Sequence, residues 1–163
     1  MAHAPDTTVE QFAALLQGRG RLLGLDLGTK TIGLAISNSD WSISSAVKTI
    51  QRTKFTADVK EMLAFATAEK VEGLVLGMPL NMDGTEGPRA QSTRAFARNL
   101  AQHTNLPLIY WDERLSSYAA EQFMLEADLS RKKRAKSIDH MAASIILQGC
   151  IDRLSEERDR LIN

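Results

Sequence analysis

Residues 22–27 and 32–36 form two apolar runs on either side of a glycine-bearing turn, and the second run alternates in side-chain size. Ile32, Leu34 and Ile36 are large while Gly33, Ala35 and Ser37 are small, the period of a strand with one bulky face and one small face. The pattern predicts that residues 31–37 pair antiparallel with residues 21–26 through the turn at Gly28. Residues 47–51 read as a weaker third strand. The period then lengthens: Val59, Leu63 and Ala66, with Met62 beside Leu63, give a helical stripe over about 56–69. Gly73-Leu-Val-Leu-Gly77 is short and continuously apolar, as in a strand buried on both faces.

Thr93, Phe96, Ala97 and Leu100 make a second helical stripe, and residues 106–112 a further strand. A helix over 117–126 is expected from its Ser N-cap, followed by a long final helix from 137 to about 158. Near the start, Val9, Phe12, Ala13 and Leu16 mark a short helix within 8–17 that is expected to dock on its own domain. The order βββαβαβα predicts an α/β fold: a mixed five-stranded sheet, three antiparallel strands followed by parallel ones, flanked by helices. One domain is expected over 21–158, with residues 1–20 as an extension and 159–163 as a tail.

Composition narrows the chemistry. The 163 residues are 44% apolar and 25% charged, as in an ordinary globular protein, and no apolar run approaches the roughly 20 residues of a membrane helix. A cytoplasmic location without a membrane partner is the expectation. Cys150 is the single cysteine, which excludes an intramolecular disulfide and any site built on several thiolates. A metal would have to be held by oxygen or by the three histidines. Twenty basic and twenty acidic residues cancel, so only the distribution of charge bears on a nucleic-acid partner.

Three acids converge in this topology. Asp26 ends the first strand, Glu113 follows the last, and Asp139 falls in the first turn of the expected final helix, followed at helical spacing by Ala142, Ala143 and Ile146. With the fourth strand between the first and the fifth, the backbones at Asp26 and Glu113 are expected about 9–10 Å apart, a gap their side chains do not close but a Mg²⁺ ion would bridge. Each acid also has a plain structural reading. Asp26 suits a turn, Glu113 a solvated surface triplet, and Asp139 the positive end of a helix dipole. Their convergence favours a metal facing a phosphate, and hence a nuclease.

Five ordered motifs carry a resemblance. Gly24-Leu-Asp-Leu-Gly-Thr-Lys, Ile32-Gly-Leu-Ala-Ile-Ser, Gly77-Met-Pro-Leu-Asn-Met-Asp-Gly-Thr-Glu86, Asp112-Glu-Arg-Leu-Ser-Ser117 and Ile138-Asp-His-Met-Ala-Ala-Ser-Ile-Ile-Leu147 resemble the YqgF/RuvX family of pre-16S rRNA nucleases over about residues 22–154. The resemblance implies an RNase H-like fold and metal-site roles for Asp26, Glu113 and Asp139. On those ligands two Mg²⁺ or Mn²⁺ ions are expected, with hydrolysis leaving a 5′ phosphate. Asn38, Met78 and Thr31 depart from the family's usual residues without removing a proposed ligand.

Substrate contacts are expected from Lys30 after the first turn and from Asn81 and Arg89 in and after the loop leaving the buried parallel strand. Arg114 either clamps a phosphate or pairs with Asp112, and the resemblance favours the clamp. Arg131, Lys132, Lys133, Arg134 and Lys136 form a cationic run read as lying just before the final helix, suited to neutralising phosphates without reading sequence. His140 is read as a helix residue outside the chemistry, and Trp41 as a cover for the sheet edge.

The expected partner is nucleic acid, structured RNA ahead of branched DNA, with ribosomal precursor particles as a setting and a monomer or weak homodimer as the state. Cutting a four-way DNA junction, as a Holliday junction resolvase does, would need paired sites. A non-catalytic nucleic-acid-binding module is the alternative of another class; three clustered acids argue against it. The first hairpin also resembles the phosphate hairpin of actin-like ATPases, which use a second domain to close on nucleotide.

Overall fold

The computed structural model describes residues 7–114 and 131–162, with side chains for 7–114 and 141–159. Helix α1 (Val9–Leu15) opens with a capping box in which Thr8 and Gln11 each bond the other's backbone N–H. Strands β1 (Arg21–Leu27), β2 (Thr31–Ser37) and β3 (Ser44–Gln51) form the antiparallel meander. Helix α2 (Phe55–Ala68), strand β4 (Val71–Met78), helix α3 (Pro88–Leu100), strand β5 (Leu108–Asp112) and helix α4 (Arg131–Ile162) complete the chain. The sheet order is β3-β2-β1-β4-β5, with β4 parallel to both β1 and β5. Among the described residues no helix is long and apolar enough to cross a membrane.

The size alternation in β2 is resolved by what covers each face. Ile32, Leu34 and Ile36, with Leu23, Leu25, Leu74, Leu76 and Leu108, face α2 and α3 through Val59, Met62, Phe96 and Leu100. The opposite face carries glycine at positions 24, 73 and 77 among larger residues such as Val75 and Ile109, so α4 can approach the backbone at those points. A Cβ at Gly24 would lie 2.8 Å from Leu147 Cβ and 3.0 Å from the Ala143 carbonyl oxygen. Gly149 returns the arrangement from the helix side, giving way to the Trp111 ring.

Helix α1 docks on this face as expected. Phe12 is fully buried with Leu22, Ile151 and Leu154, and its ring and Leu16 occupy the space a side chain at Gly73 would need. The segment after α1 is clasped by Glu72, whose carboxylate accepts the backbone N–H groups of Gln17, Gly18, Arg19 and Gly20. Trp41 also packs here, its Nε1 donating to the Gly20 carbonyl at 2.8 Å.

Several boundaries differ from expectation, among them the end of the final helix, which runs to Ile162 through the stretch read as a tail. Strand β3 begins at Ser44 because backbone pairing with β2 continues where the apolar signal has faded, across an irregularity between Leu34 and Ala35. Strand β5 begins at Leu108, two residues late. Helix α4 already includes Arg131, so the cationic run is helical and Asp139 lies in the helix interior, not the first turn. Long basic side chains are good helix formers even without an apolar stripe, and a rule based on caps and periodicity misses them. The helix expected over 117–126 lies outside the described residues.

Candidate active site

Asp26 is the sixth residue of β1 and points to the α4 face, in alternation with Leu25 and Leu27. On one side its register partner on β2 is Gly33. On the other, the pairing of Leu25 with Leu76 brings Gly77 alongside it on β4. The acid therefore stands in a trough with a glycine on each neighbouring strand.

Glu113 follows β5 directly, and Gly77 decides where it goes. A Cβ at Gly77 would come within 2.9 Å of Glu113 Cγ and 3.0 Å of its Cδ, and within 2.6 Å of Ile146 Cδ1. With hydrogen in that place, the Glu113 side chain crosses over β4 and hydrogen-bonds Asp26. The expectation that these side chains could not meet is thus corrected. Backbone spacing alone overlooks a glycine in the intervening strand, across which a long side chain can lie.

The electrostatics follow from the crossing. Burial, the adjacent Asp26 charge and the hydrogen bond from its own protonated form push the Glu113 carboxyl up to about 8. The nearby Arg89 charge works in the opposite direction. Glu113 Oε2 is buried and receives no hydrogen bond among the described residues. Two carboxylates contending for one proton, with a buried oxygen lone pair still unused, form a centre suited to a hard divalent cation. Among the described residues no third acid, histidine or cysteine joins them.

The other residues singled out in the sequence fall into three groups. Arg89 reaches the site: its Nη2 lies 3.4 Å from the carbonyl oxygen of Leu27, next to Asp26, and Lys30 is exposed on the turn beyond. Asn81 and Arg114 brace the loop after β4. Asn81 bonds Thr85 through side chain and backbone, while Arg114 grips Asp112 with Nε and Nη2 at 2.9 and 2.6 Å and donates Nη1 to the Met82 carbonyl. Of the two roles weighed for Arg114, pairing is the one seen, and its guanidinium holds the Asp112 carboxyl below the usual range. The side chains of Asp139, His140, Arg131, Lys132, Lys133, Arg134 and Lys136 lie outside the described residues. Gly33, Gly77 and Arg52 were not singled out from the sequence; a glycine within an apolar strand is the available signal for close approach.

A mixed five-stranded sheet of this order, three antiparallel strands followed by parallel ones, defines an RNase H-like fold. The chain belongs to the RuvX family, whose model, described as "Holliday junction resolvase", matches residues 20–153. It is 56% identical over 147 residues to a protein of Rhodobacter capsulatus named "Putative pre-16S rRNA nuclease", covering 90% of this chain and 92% of the relative. A protein of Rhodopseudomonas palustris with the same name is 57% identical over 151 residues, covering 93% and 94%. Among solved structures, T. thermophilus RuvC in complex with Holliday junction substrate aligns with a TM-score of 0.49 at 11% identity, covering 83% of this chain and 96% of that one.

Proposed function

We propose that the chain is a divalent-metal-dependent nuclease whose phosphodiester hydrolysis is centred on Asp26 and Glu113, and that it trims the 5′ end of pre-16S rRNA during ribosome biogenesis. The observation carrying the reading is the meeting of the two carboxylates over Gly77. An acid pair that must share a proton at neutral pH costs the fold stability unless a cation replaces that proton.

Asp26 and Glu113 would hold the metal through oxygen, and Asp139 is assigned as the third ligand. Its position is one helical turn before Ala143, whose carbonyl lies against Gly24 on the same face of β1 as Asp26. Magnesium or manganese ions, one or two, would when bound lower the pKa of an attacking water and neutralise charge on the leaving oxygen. Around that centre Arg89 and Lys30 supply positive charge for the scissile phosphate. Arg131, Lys132, Lys133, Arg134 and Lys136 supply it for flanking phosphates, with Lys132 and Lys136 at helical spacing from Asp139. Asn81 and Arg114 act by holding the adjacent loop in shape.

The names of relatives at 56% to 58% identity favour the RNA substrate. The description of the family model favours a second reading, symmetric cutting of branched DNA, which would require two paired sites. Both are tested by incubating wild type and Asp26→Asn with a structured RNA bearing an unprocessed 16S 5′ end, and with a four-way DNA junction, with and without Mg²⁺ or Mn²⁺. The expected result is metal-dependent RNA cleavage that falls by about a thousandfold or more in the variant. Paired junction cuts lost in the variant would establish the second reading. Full turnover by Asp26→Asn, or cleavage of neither substrate by wild type, would overturn the nuclease proposal.

A further inference from the structure

A cleft of about 220 Å³ opens between the β1–β2 turn and α3, over Leu27 and Phe96 of the α2–α3 face, and has in its wall Arg89, whose charge is also felt at Glu113. Leu27 and Phe96 form its floor; Thr29, Arg52, Arg89 and Ser92 stand around it, and among the described residues no carboxylate lines it. Its arginines are handled differently from others in the molecule. Arg21, Arg94, Arg114 and Arg153 each pair with a carboxylate. Among the described residues neither Arg52 nor Arg89 does; main-chain carbonyls at the end of β1 hold them instead. Arg52 Nη1 donates to Gly28 O at 2.6 Å and its guanidinium lies 5.9 Å from the Phe96 ring centroid, while Arg89 Nη2 contacts Leu27 O. A guanidinium has five N–H donors, so each fork is oriented while most of its donors remain available. Two oriented cations and two hydroxyls over an apolar floor suit a phosphate bound bidentately.

We infer that this cleft is a second phosphate site, taking the backbone phosphate of a nucleotide that flanks the scissile one on the same strand. The inference rests on the nuclease reading above and adds to it Arg52, Thr29 and Ser92. The link to the acid pair is covalent and short: Leu27 and Gly28, whose carbonyls orient the two arginines, directly follow Asp26. A strand seated at Asp26 and passing over the turn would meet Arg89 and then Arg52, so the site fixes the direction of the substrate as well as adding affinity.

The test uses full-length Asp26→Asn protein, so that RNA stays intact, and a short fluorescent single-stranded RNA titrated at several salt concentrations. Adding Arg52→Gln should weaken binding about threefold to tenfold and reduce the slope of log affinity against log salt by about 0.7, the value for one phosphate contact on a single strand. Arg52→Lys should restore the slope. Ser92→Asp, on an exposed helix position where an added carboxylate does not disturb packing, should weaken binding while leaving the melting temperature unchanged. If Arg52→Gln and Ser92→Asp both bind as the parent does while wild type cleaves RNA, the cleft site is overturned and the nuclease reading stands. If the parent binds no RNA at any salt and wild type cleaves none, both fall.

Discussion

The two faces of the sheet share the same five strands but are built to opposite rules. The face under α2 and α3 is filled with leucine and isoleucine, and its covering helices bring large side chains to meet them. The face under α4 and α1 has glycine at positions 24, 73 and 77, so helix side chains reach the strand backbone there, while Leu22, Val75, Ile109 and Trp111 supply volume between those gaps. Close packing can be reached either way. Only the second way leaves a trough in which two carboxylates can lie side by side. Placement of the acids on that face thus follows from where the strands lack side chains.

Chemical denaturation combined with activity per folded molecule separates the two rules. The largest loss of stability is expected on the filled face: Leu76→Ala removes a fully buried side chain and should cost about 3–4 kcal/mol while leaving the turnover of folded molecules near wild type. On the other face Gly77→Ala should cost about 2 kcal/mol through overpacking against Ile146, and should also depress activity at least tenfold by pushing Glu113 off Asp26. Equal activity losses in the two variants would erase the distinction.

Glu113→Gln sharpens the electrostatic side of the comparison. The Glu113 carboxyl is raised from 4.5 to about 8, so between those values the unfolded chain has given up a proton that the folded chain still holds. Stability contributed at this residue is therefore lost as pH rises from about 4.5, and the full penalty is present above about 8. In metal-free buffer the substitution should leave stability at pH 4 nearly unchanged and raise it by about 1–2 kcal/mol at pH 8, seen as a rising difference in denaturation midpoint. Added Mn²⁺ should stabilise wild type and not the variant. The smallest effect belongs to neither face. Arg21 and Glu69 form a 3.0 Å pair with both side chains about 40% exposed, and Arg21→Ala should cost less than about 0.5 kcal/mol.

Much of the molecule was legible because its signals are local or periodic. The antiparallel pairing of the first strands, the handling of β2's two sides and the docking of α1 follow from alternation in size and from the Val9, Phe12 and Leu16 stripe. Asp26 and Glu113 were singled out from strand ends. Their contact was not, because it depends on what the third residue in a row of three strands lacks, and Gly77 reads in sequence as one more member of an apolar run. The start of α4 was missed for a related reason: six residues rich in lysine and arginine carry no apolar period, although they are compatible with helix. Arg52 was overlooked because its isolation from carboxylates is a property of its neighbours in space. Arg114 was weighed between phosphate and Asp112, and in this structure its fork is held by Asp112, two residues away.

The two tryptophans in the chain stand on the same side of the sheet. Trp41 is anchored to Gly20 and lies under Arg158, while Trp111 fits against Gly149 of α4, two residues before Glu113. Phe55, Phe96 and Tyr110 are on the other side, where they contribute nothing to emission excited at the red edge of indole absorption. The native fluorescence of this protein is therefore a one-sided signal. It will follow the seating of the last helix and, through Trp111, offer a label-free test of the metal proposed beside Glu113.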